Sequence, residues 1–256
     1  MTLYFYFFIF LFGIMVGSFL NVLIYRLPLE QNFVFPRSAC PHCSKLIPWY
    51  ENIPLFSFIF LKGKCSGCAQ RISFRYPCIE LLIGLGALYI CDDSIMSAHG
   101  AWLILVKFVV LCILVVHFFI DWEYQILPDS LNLVLGVLLL SYAVFNFTWS
   151  YWLFGGLVGA GFPFLVTWGF YLVKGQIGLG GGDIKLFGVL GFFLGPLGII
   201  HTIFLSCFVG ALVGGTAILL GKMTKEKPIA FGPFIIVIAA LQIYFPNFVA
   251  HYLIFI

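Results

Sequence analysis

The chain has 256 residues, of which 62% are hydrophobic and 9% charged, with a net charge of +3 and a mean hydropathy of +1.11. A soluble domain is about 45–50% apolar and about 25% charged, so a water-soluble fold of this length has nowhere to hide so much apolar surface. The small net charge and the lack of a basic arm give no reason to expect nucleic acid as a partner. Continuous apolar runs without strict alternation argue against a β-barrel. The expected fold class is an all-α polytopic membrane protein, with lipid as its solvent.

A helix needs about 20 apolar residues to cross a bilayer. Eight runs meet that need approximately: 3–25, 78–98, 101–120, 129–147, 151–173, 184–200, 202–221 and 231–254. The first lacks a basic n-region and a small-residue cleavage site, so it reads as a retained span and not a signal peptide. The expected organisation is a first transmembrane helix at 1–25, an extramembrane loop at 26–76, and a core of about seven helices over 77–256.

The loop carries "CPHC" (Cys40, Cys43) and "CSGC" (Cys65, Cys68), with 21 residues between the pairs. Two C-x-x-C pairs at roughly this spacing point to zinc. Four thiolates close a tetrahedral site, which makes it structural and not catalytic. Gly67 lets the backbone fold tightly round the metal, and His42 is an alternative ligand whose spacing is less favourable. Two disulfides or free thiols are the competing readings. Cys78, Cys91, Cys112 and Cys207 lie in or near spans and read as small buried residues.

Farther along, Glu80 falls within the second run and Lys107 within the third, where Lys107 must snorkel, pair or face a cavity. The third run closes on "FFIDWEYQILPDS", which holds Asp121, the solvated Glu123, and Asp129 at the start of the fourth. His117 precedes Asp121 by four residues and shares its helical face. In the fifth run Gly155, Gly156, Gly159 and Gly161 suggest close helix packing. "GLGGGDIKLFG" then opens the sixth run with Asp183, followed by Lys185. Gly195, Pro196 and His201 are the only features that separate the sixth run from the seventh.

Orientation follows from the thirteen Lys and Arg. Seven lie in the first loop (Arg26, Arg37, Lys45, Lys62, Lys64, Arg71, Arg75), while Lys174 and Lys185 flank the fifth connection and Lys222, Lys225 and Lys227 sit in the seventh. The second connection carries Asp92 and Asp93 instead. By the positive-inside rule the odd loops face the cytoplasm and both termini lie outside. Asp121 and Asp183 are then expected at similar depth near the cytoplasmic face. Intramembrane carboxylates are costly and mark functional sites. Two that approach share a proton near neutral pH, which suits peptide hydrolysis without metal or covalent nucleophile. The side-chain-free backbone at Gly178, Gly180, Gly181 and Gly182 would let an extended peptide approach Asp183. Taken singly, each aspartate reads equally well as a helix end-cap.

Together these motifs resemble the type IV prepilin peptidases, membrane aspartyl proteases marked by a GxGD sequence. The resemblance runs from "GSFLNVLIYRLP" (17–28), through the cysteine pairs with "WYENIPLFSF" between them, to "ISFRYPCIELL" (72–82). It continues with "IDWEYQILPD" (120–129), "GGGDIKLFGVLGFFLG" (180–195) and "IAFGPFI" (229–235), in that order. It implies that Asp121 and Asp183 are the catalytic pair, with Gly180, Gly182, Lys185, Glu80 and His117 as supporting candidates. It also implies a bacterial inner-membrane enzyme that cuts basic leaders from prepilins and type II secretion pseudopilins after a glycine. Many members then methylate the new N-terminus with S-adenosylmethionine, and the cysteine loop is typical of those; no residue here identifies where that molecule binds, and the first loop, with Glu51, Asn52 and Glu80 near its ends, is the place to look. A transporter or ion relay built on the same carboxylates is the competing class, but the glycine-rich break at 178–182 has no counterpart in the other half of the chain.

Overall fold

Lipid offers no hydrogen bonds, so each span must satisfy its own backbone, and the helix is the way a single segment does this. The computed structural model describes residues 2–91, 98–176, 178–221 and 229–246. Asp92, Asp93, Lys222, Lys225, Lys227 and the expected end of the eighth run at 247–254 lie outside the described residues. Among those described, the structure is helical with two isolated β-bridges and no strand. The helices are α1 (Thr2–Arg26), α2 (Phe56–Phe60), α3 (Arg75–Ile90), α4 (Ala98–Tyr124), α5 (Asp129–Asn146), α6 (Trp149–Lys174), α7 (Gly181–Leu219) and α8 (Gly232–Tyr244).

Five of these, α1, α4, α5, α6 and α7, are long and apolar enough to cross a membrane. The 39 residues of α7 would reach about 58 Å if straight, against a hydrocarbon core of about 30 Å. They are not straight, because Gly195 (φ 68°, ψ 179°) interrupts the helix. The Phe231 ring lies 6.3 Å, centroid to centroid, from Phe187. It also lies within 3.3 Å of where a Cβ on Gly210 would stand. A straight helix would separate residues 187 and 210 by about 35 Å, so the chain doubles back at Gly195–Pro196. The expected sixth and seventh runs are the two limbs of this hairpin. A positive φ suits glycine, and the Leu194 carbonyl beside the break accepts a hydrogen bond of 2.9 Å from the Tyr151 hydroxyl.

The chain forms two compact units, Met1–Val116 and His117–Ile256. In the first, α1 packs on α3 through a small-residue seam. A Cβ on Gly13 would stand 2.8 Å from the Gly84 Cα, and one on Gly17 would stand 2.7 Å from the Glu80 Cα. The four-residue spacing of Gly13 and Gly17 is the pattern that lets membrane helices approach closely. Asn21 Nδ2 donates across the seam to the Tyr76 carbonyl at 3.3 Å. Arg26 closes α1 and donates to the carbonyls of Asn32 (3.0 Å) and Pro36 (2.8 Å), which pins the start of the loop.

In the second unit, α6 lies against both limbs of α7. A Cβ on Gly155 would stand 2.1 Å from the Gly191 carbonyl oxygen, and one on Gly159 would stand 2.4 Å from that of Phe187. Three of the four glycines expected to pack closely do so; Gly161 has nothing within 4 Å of a built Cβ and belongs to no seam. Two further expectations need correction: Cys78 and Cys207 are exposed on their helices, leaving Cys112 as the buried one of that group. Helix α4 also runs past the expected end at 120 to Tyr124, so Asp121 belongs to its last turn.

The seam makes a paired prediction. Gly155→Ala should destabilise the protein by about 1–3 kcal/mol through overpacking against backbone, whereas Gly161→Ala should be neutral or slightly stabilising. Thermal unfolding of both variants in the same detergent checks this, and equal midpoints would contradict the seam.

Candidate active site and metal centre

Asp121 is 6% exposed and stands near the C-terminal end of α4, which closes at Gln125 (φ 55°) with a bond of 2.9 Å from the Gln125 N–H to the Asp121 carbonyl. A helix C-terminus repels negative charge, so this aspartate is no end-cap of its own helix. Its compensation comes from 111 residues away: the Gly232 N–H, at the start of α8, donates to Asp121 Oδ2 at 2.9 Å in a buried position. That donor is presented by a positive helix end. A Cβ on Gly232 would stand 2.7 Å from the same oxygen, so any larger residue there would push the carboxylate aside.

Asp183 is the third residue of α7, whose N-cap is Gly180. Its carboxylate reaches back to the Gly180 N–H, the return half of a capping box. The end-cap reading of Asp183 is therefore correct as far as it goes. The same carboxylate also lies within Coulombic reach of Asp121, which capping does not require. Both acids are thus gripped by one glycine N–H each and brought together from helices far apart in sequence.

The supporting candidates divide. Gly180 supplies the donor to Asp183, and Gly182 lies under Leu127, whose Cβ is 3.0 Å from a Cβ built on it. Lys185 does not serve Asp183. It bonds both carboxylate oxygens of Asp129 at 2.7 and 2.8 Å, an exposed pair that ties the start of α5 to the start of α7. His117 is fully buried one turn before Asp121. Glu80 belongs to the first unit, where its Oε2 accepts the Leu55 N–H at 2.8 Å and its carboxylate also takes a bond from Ser18. Two residues escaped the sequence analysis. Gly232 had a visible signal, since Gly-Pro before an apolar run marks a helix start. Asn132, 3% exposed on α5 with neither side-chain amide atom hydrogen-bonded, had none.

The four cysteines of the first loop come together in two knuckles of the same design. In the first, the Cys40 N–H bonds the Lys45 carbonyl and the Ser44 N–H the Cys40 carbonyl, each at 2.9 Å. In the second, the Cys65 N–H bonds the Gln70 carbonyl and the Ala69 N–H the Cys65 carbonyl, again at 2.9 Å. Ser44 (φ 56°) and Ala69 (φ 58°) occupy the same left-handed turn position, and one β-bridge closes each knuckle.

All four Sγ atoms lie within 4.8 Å of one another, with Cys40–Cys68 at 3.9 Å and Cys43–Cys65 at 4.0 Å. Tetrahedral bonds of about 2.3 Å to a central ion place sulfurs about 3.8 Å apart, so the set fits a metal. The thiols are unlike one another. The Cys68 and Gly67 backbone N–H groups hold Cys65 down to about 6. At Cys68 the Gln70 N–H favours the thiolate, but desolvation and the neighbouring thiols Cys43, Cys65 and Cys40 push it up to about 11. Four adjacent thiolates need a central cation to coexist. His42 is not in the cluster.

Purified protein should accordingly carry close to one tetrahedral metal ion per chain, and Cys40→Ser or Cys68→Ser should lower that to a small fraction. Elemental analysis of the full chain reads this directly; undiminished metal in both variants would refute the assignment.

Comparison with known proteins finds relatives over most of the chain. Residues 11–92 match the family described as the bacterial peptidase A24 N-terminal domain, and residues 108–215 match the type IV leader peptidase family. The chain is 35% identical over 256 residues to a prepilin leader peptidase/N-methyltransferase of Aeromonas hydrophila, covering 89% of this chain and 86% of that one. It is 35% identical over 227 residues to a protein of the same name from Bacillus subtilis, covering 88% of each. No solved structure matches.

Proposed function

Because the chain belongs to the type IV leader peptidase family, we propose that it is an intramembrane aspartyl endopeptidase in which Asp121 and Asp183 are the catalytic pair. Its substrates are type IV prepilins and type II secretion pseudopilins, cut after a glycine at the end of the basic leader on the cytoplasmic face of the bacterial inner membrane. The observation that carries the proposal is that two carboxylates, each held by a glycine N–H, lie within Coulombic reach of each other. A lone cap or a lone buried acid would not need the other.

Two such carboxylates hold one proton between them. The ionised member takes a proton from water, whose oxygen forms a bond to the scissile carbonyl carbon, while the protonated member gives its proton to the carbonyl oxygen. Collapse of the resulting diol breaks the C–N bond as the departing amine takes a proton from the dyad, and a free amine and a carboxylic acid remain. The apolar helix after the cleavage point stays in lipid, which is why the dyad sits at membrane depth. The basic first loop and the positive-inside rule support the cytoplasmic orientation with both termini outside.

The chain is also proposed to methylate the new N-terminal amine. S-Adenosylmethionine supplies an electrophilic methyl group when bound: the amine nitrogen forms the N–C bond as the C–S bond breaks, releasing S-adenosylhomocysteine and one proton. The ion in the cysteine cluster is proposed to be Zn²⁺ in a structural role, since four thiolates leave no position open for substrate.

Asp121→Asn and Asp183→Asn should each lower leader cleavage by about 100-fold or more, with insertion and metal content unchanged, in membranes given a prepilin substrate. Cleavage surviving both changes would remove the dyad. Gly232→Ala tests the close approach: crowding Asp121 Oδ2 should cost on the order of 100-fold in cleavage rate at normal expression, and a rate equal to wild type would show that the position of this carboxylate does not depend on the missing Cβ.

A further inference from the structure

Helix α2, in the first loop, is inside out for a helix that faces water. Its five residues, Phe56–Phe60, turn inward Ser57, whose hydroxyl donates to the Tyr50 carbonyl at 3.1 Å, and Phe58, whose ring lies 5.9 Å from that of Phe74. They turn outward Phe56, Ile59 and Phe60, which are 53%, 70% and 80% exposed. Residues three and four apart share one helical face, so these three form a single apolar surface. Such a surface is costly in water and at home in lipid.

Its place in the first unit puts it beside lipid. Helices α1 and α3 run antiparallel along their seam, with Gly13 against Gly84, Gly17 against Glu80 and Asn21 bonded to Tyr76. The C-terminal end of α1, a span by length and composition, therefore lies beside the start of α3 at one boundary of the membrane. Helix α2 is tied there twice, by the Leu55 N–H bond to Glu80 Oε2 and by the Phe58–Phe74 ring contact. Phe74, 69% exposed, heads an exposed stripe of α3 that continues through Cys78, Leu82 and Leu85. The apolar face of α2 thus extends a surface already turned to lipid.

The charge beside that face has one sign. From Asn52 to Ile79 the chain carries Lys62, Lys64, Arg71 and Arg75 and no acidic residue. Lys62, Lys64 and Arg71 are exposed, and no hydrogen bond or ion pair engages their side chains among the described residues. Lys62 stands two residues past the end of α2, and Lys64 and Arg71 stand opposite each other across the β-bridge of the second cysteine knuckle. A guanidinium meets phosphate in a planar fork and an ammonium meets it as a point charge. Aromatic residues flanked by lysine and arginine are what the headgroup layer accommodates.

We propose that α2 is an interfacial helix that docks the first loop on anionic phospholipid. Phe56, Ile59 and Phe60 enter the boundary between headgroups and acyl chains, and Lys62, Lys64 and Arg71 meet the phosphates. Helix α2 runs directly into the second knuckle through Leu61–Lys64, so the docking holds that knuckle at the membrane surface. A five-residue helix offers too little area for a stable protein interface, whereas lipid already lies at its edge.

The test is hydrogen–deuterium exchange of the metal-loaded, full-length protein at one chain per nanodisc, in phosphatidylglycerol or in phosphatidylcholine of the same acyl chains. Amides of residues 56–64 should exchange at least about tenfold more slowly in the anionic discs, while those of α1 exchange alike in both. The combined change Lys62→Gln, Lys64→Gln and Arg71→Gln should abolish that difference with metal content unchanged. Equal exchange in the two lipids, or a difference that survives the triple change, overturns the proposal. A second readout needs no variant: phosphatidylglycerol with a photoactivatable group near the glycerol end of its acyl chain should label residues 56–60, and label confined to the spans overturns the apolar docking. Protection that arises only at two chains per disc assigns the face to a second copy and overturns lipid as its occupant.

Discussion

An aspartate buried among apolar helices has to be met by donors that cost nothing to bring there, and in this protein the donors are main-chain N–H groups at helix starts. Such groups are left over by helix geometry itself, and they carry the positive end of the helix dipole. Asp121 has lost the favour of its own helix by lying near the C-terminal end of α4, and α8 restores it through Gly232. Asp183 uses the start of its own helix. A backbone donor carries no full charge, so holding the carboxylates this way leaves them answerable to each other.

That economy depends on glycine, for a reason of space more than flexibility. At Gly232 the missing Cβ makes room for a carboxylate; at Gly155 and Gly191 it makes room for another helix's carbonyl. In lipid there is little hydrophobic drive to press helices together, so close backbone approach and its dispersion contacts take over that task. The α6–α7 seam holds the hairpin that starts with Asp183. Close packing of α6 on α7 thus extends along the same helix that bears the acid.

Legibility varied with the range of the interaction. The spans are readable because each is a long local run, and the two cysteine pairs because a metal demands a recurring short spacing; Gly195–Pro196 announced the hairpin for the same reason. Asp183 and its donor are three residues apart and could be guessed together. Asp121 and Gly232 are separated by four helices' worth of chain, and no local pattern couples them, though Gly-Pro at the head of α8 was a visible helix start. Lys185 misled because proximity in sequence to Asp183 suggested service to it, whereas on the helix it turns toward Asp129. The Gly13–Gly17 spacing was present in plain view and went unused because an apolar run already accounted for those residues as a span.

The first limb of α7, from Gly181 to the break at Gly195, has one further implication. Fourteen helical residues reach about 21 Å, well short of a hydrocarbon core of about 30 Å. If the hairpin turn sits near one face, the end bearing Asp183 stops short of the other. Hydrophobic mismatch of this kind is relieved by local thinning of the bilayer. Acyl-chain length then becomes a structural variable of the site: short-chain lipid brings the aqueous boundary down to the carboxylates, and long-chain lipid withdraws it. On this geometry the membrane sets the water supply of the reaction as well as housing the protein.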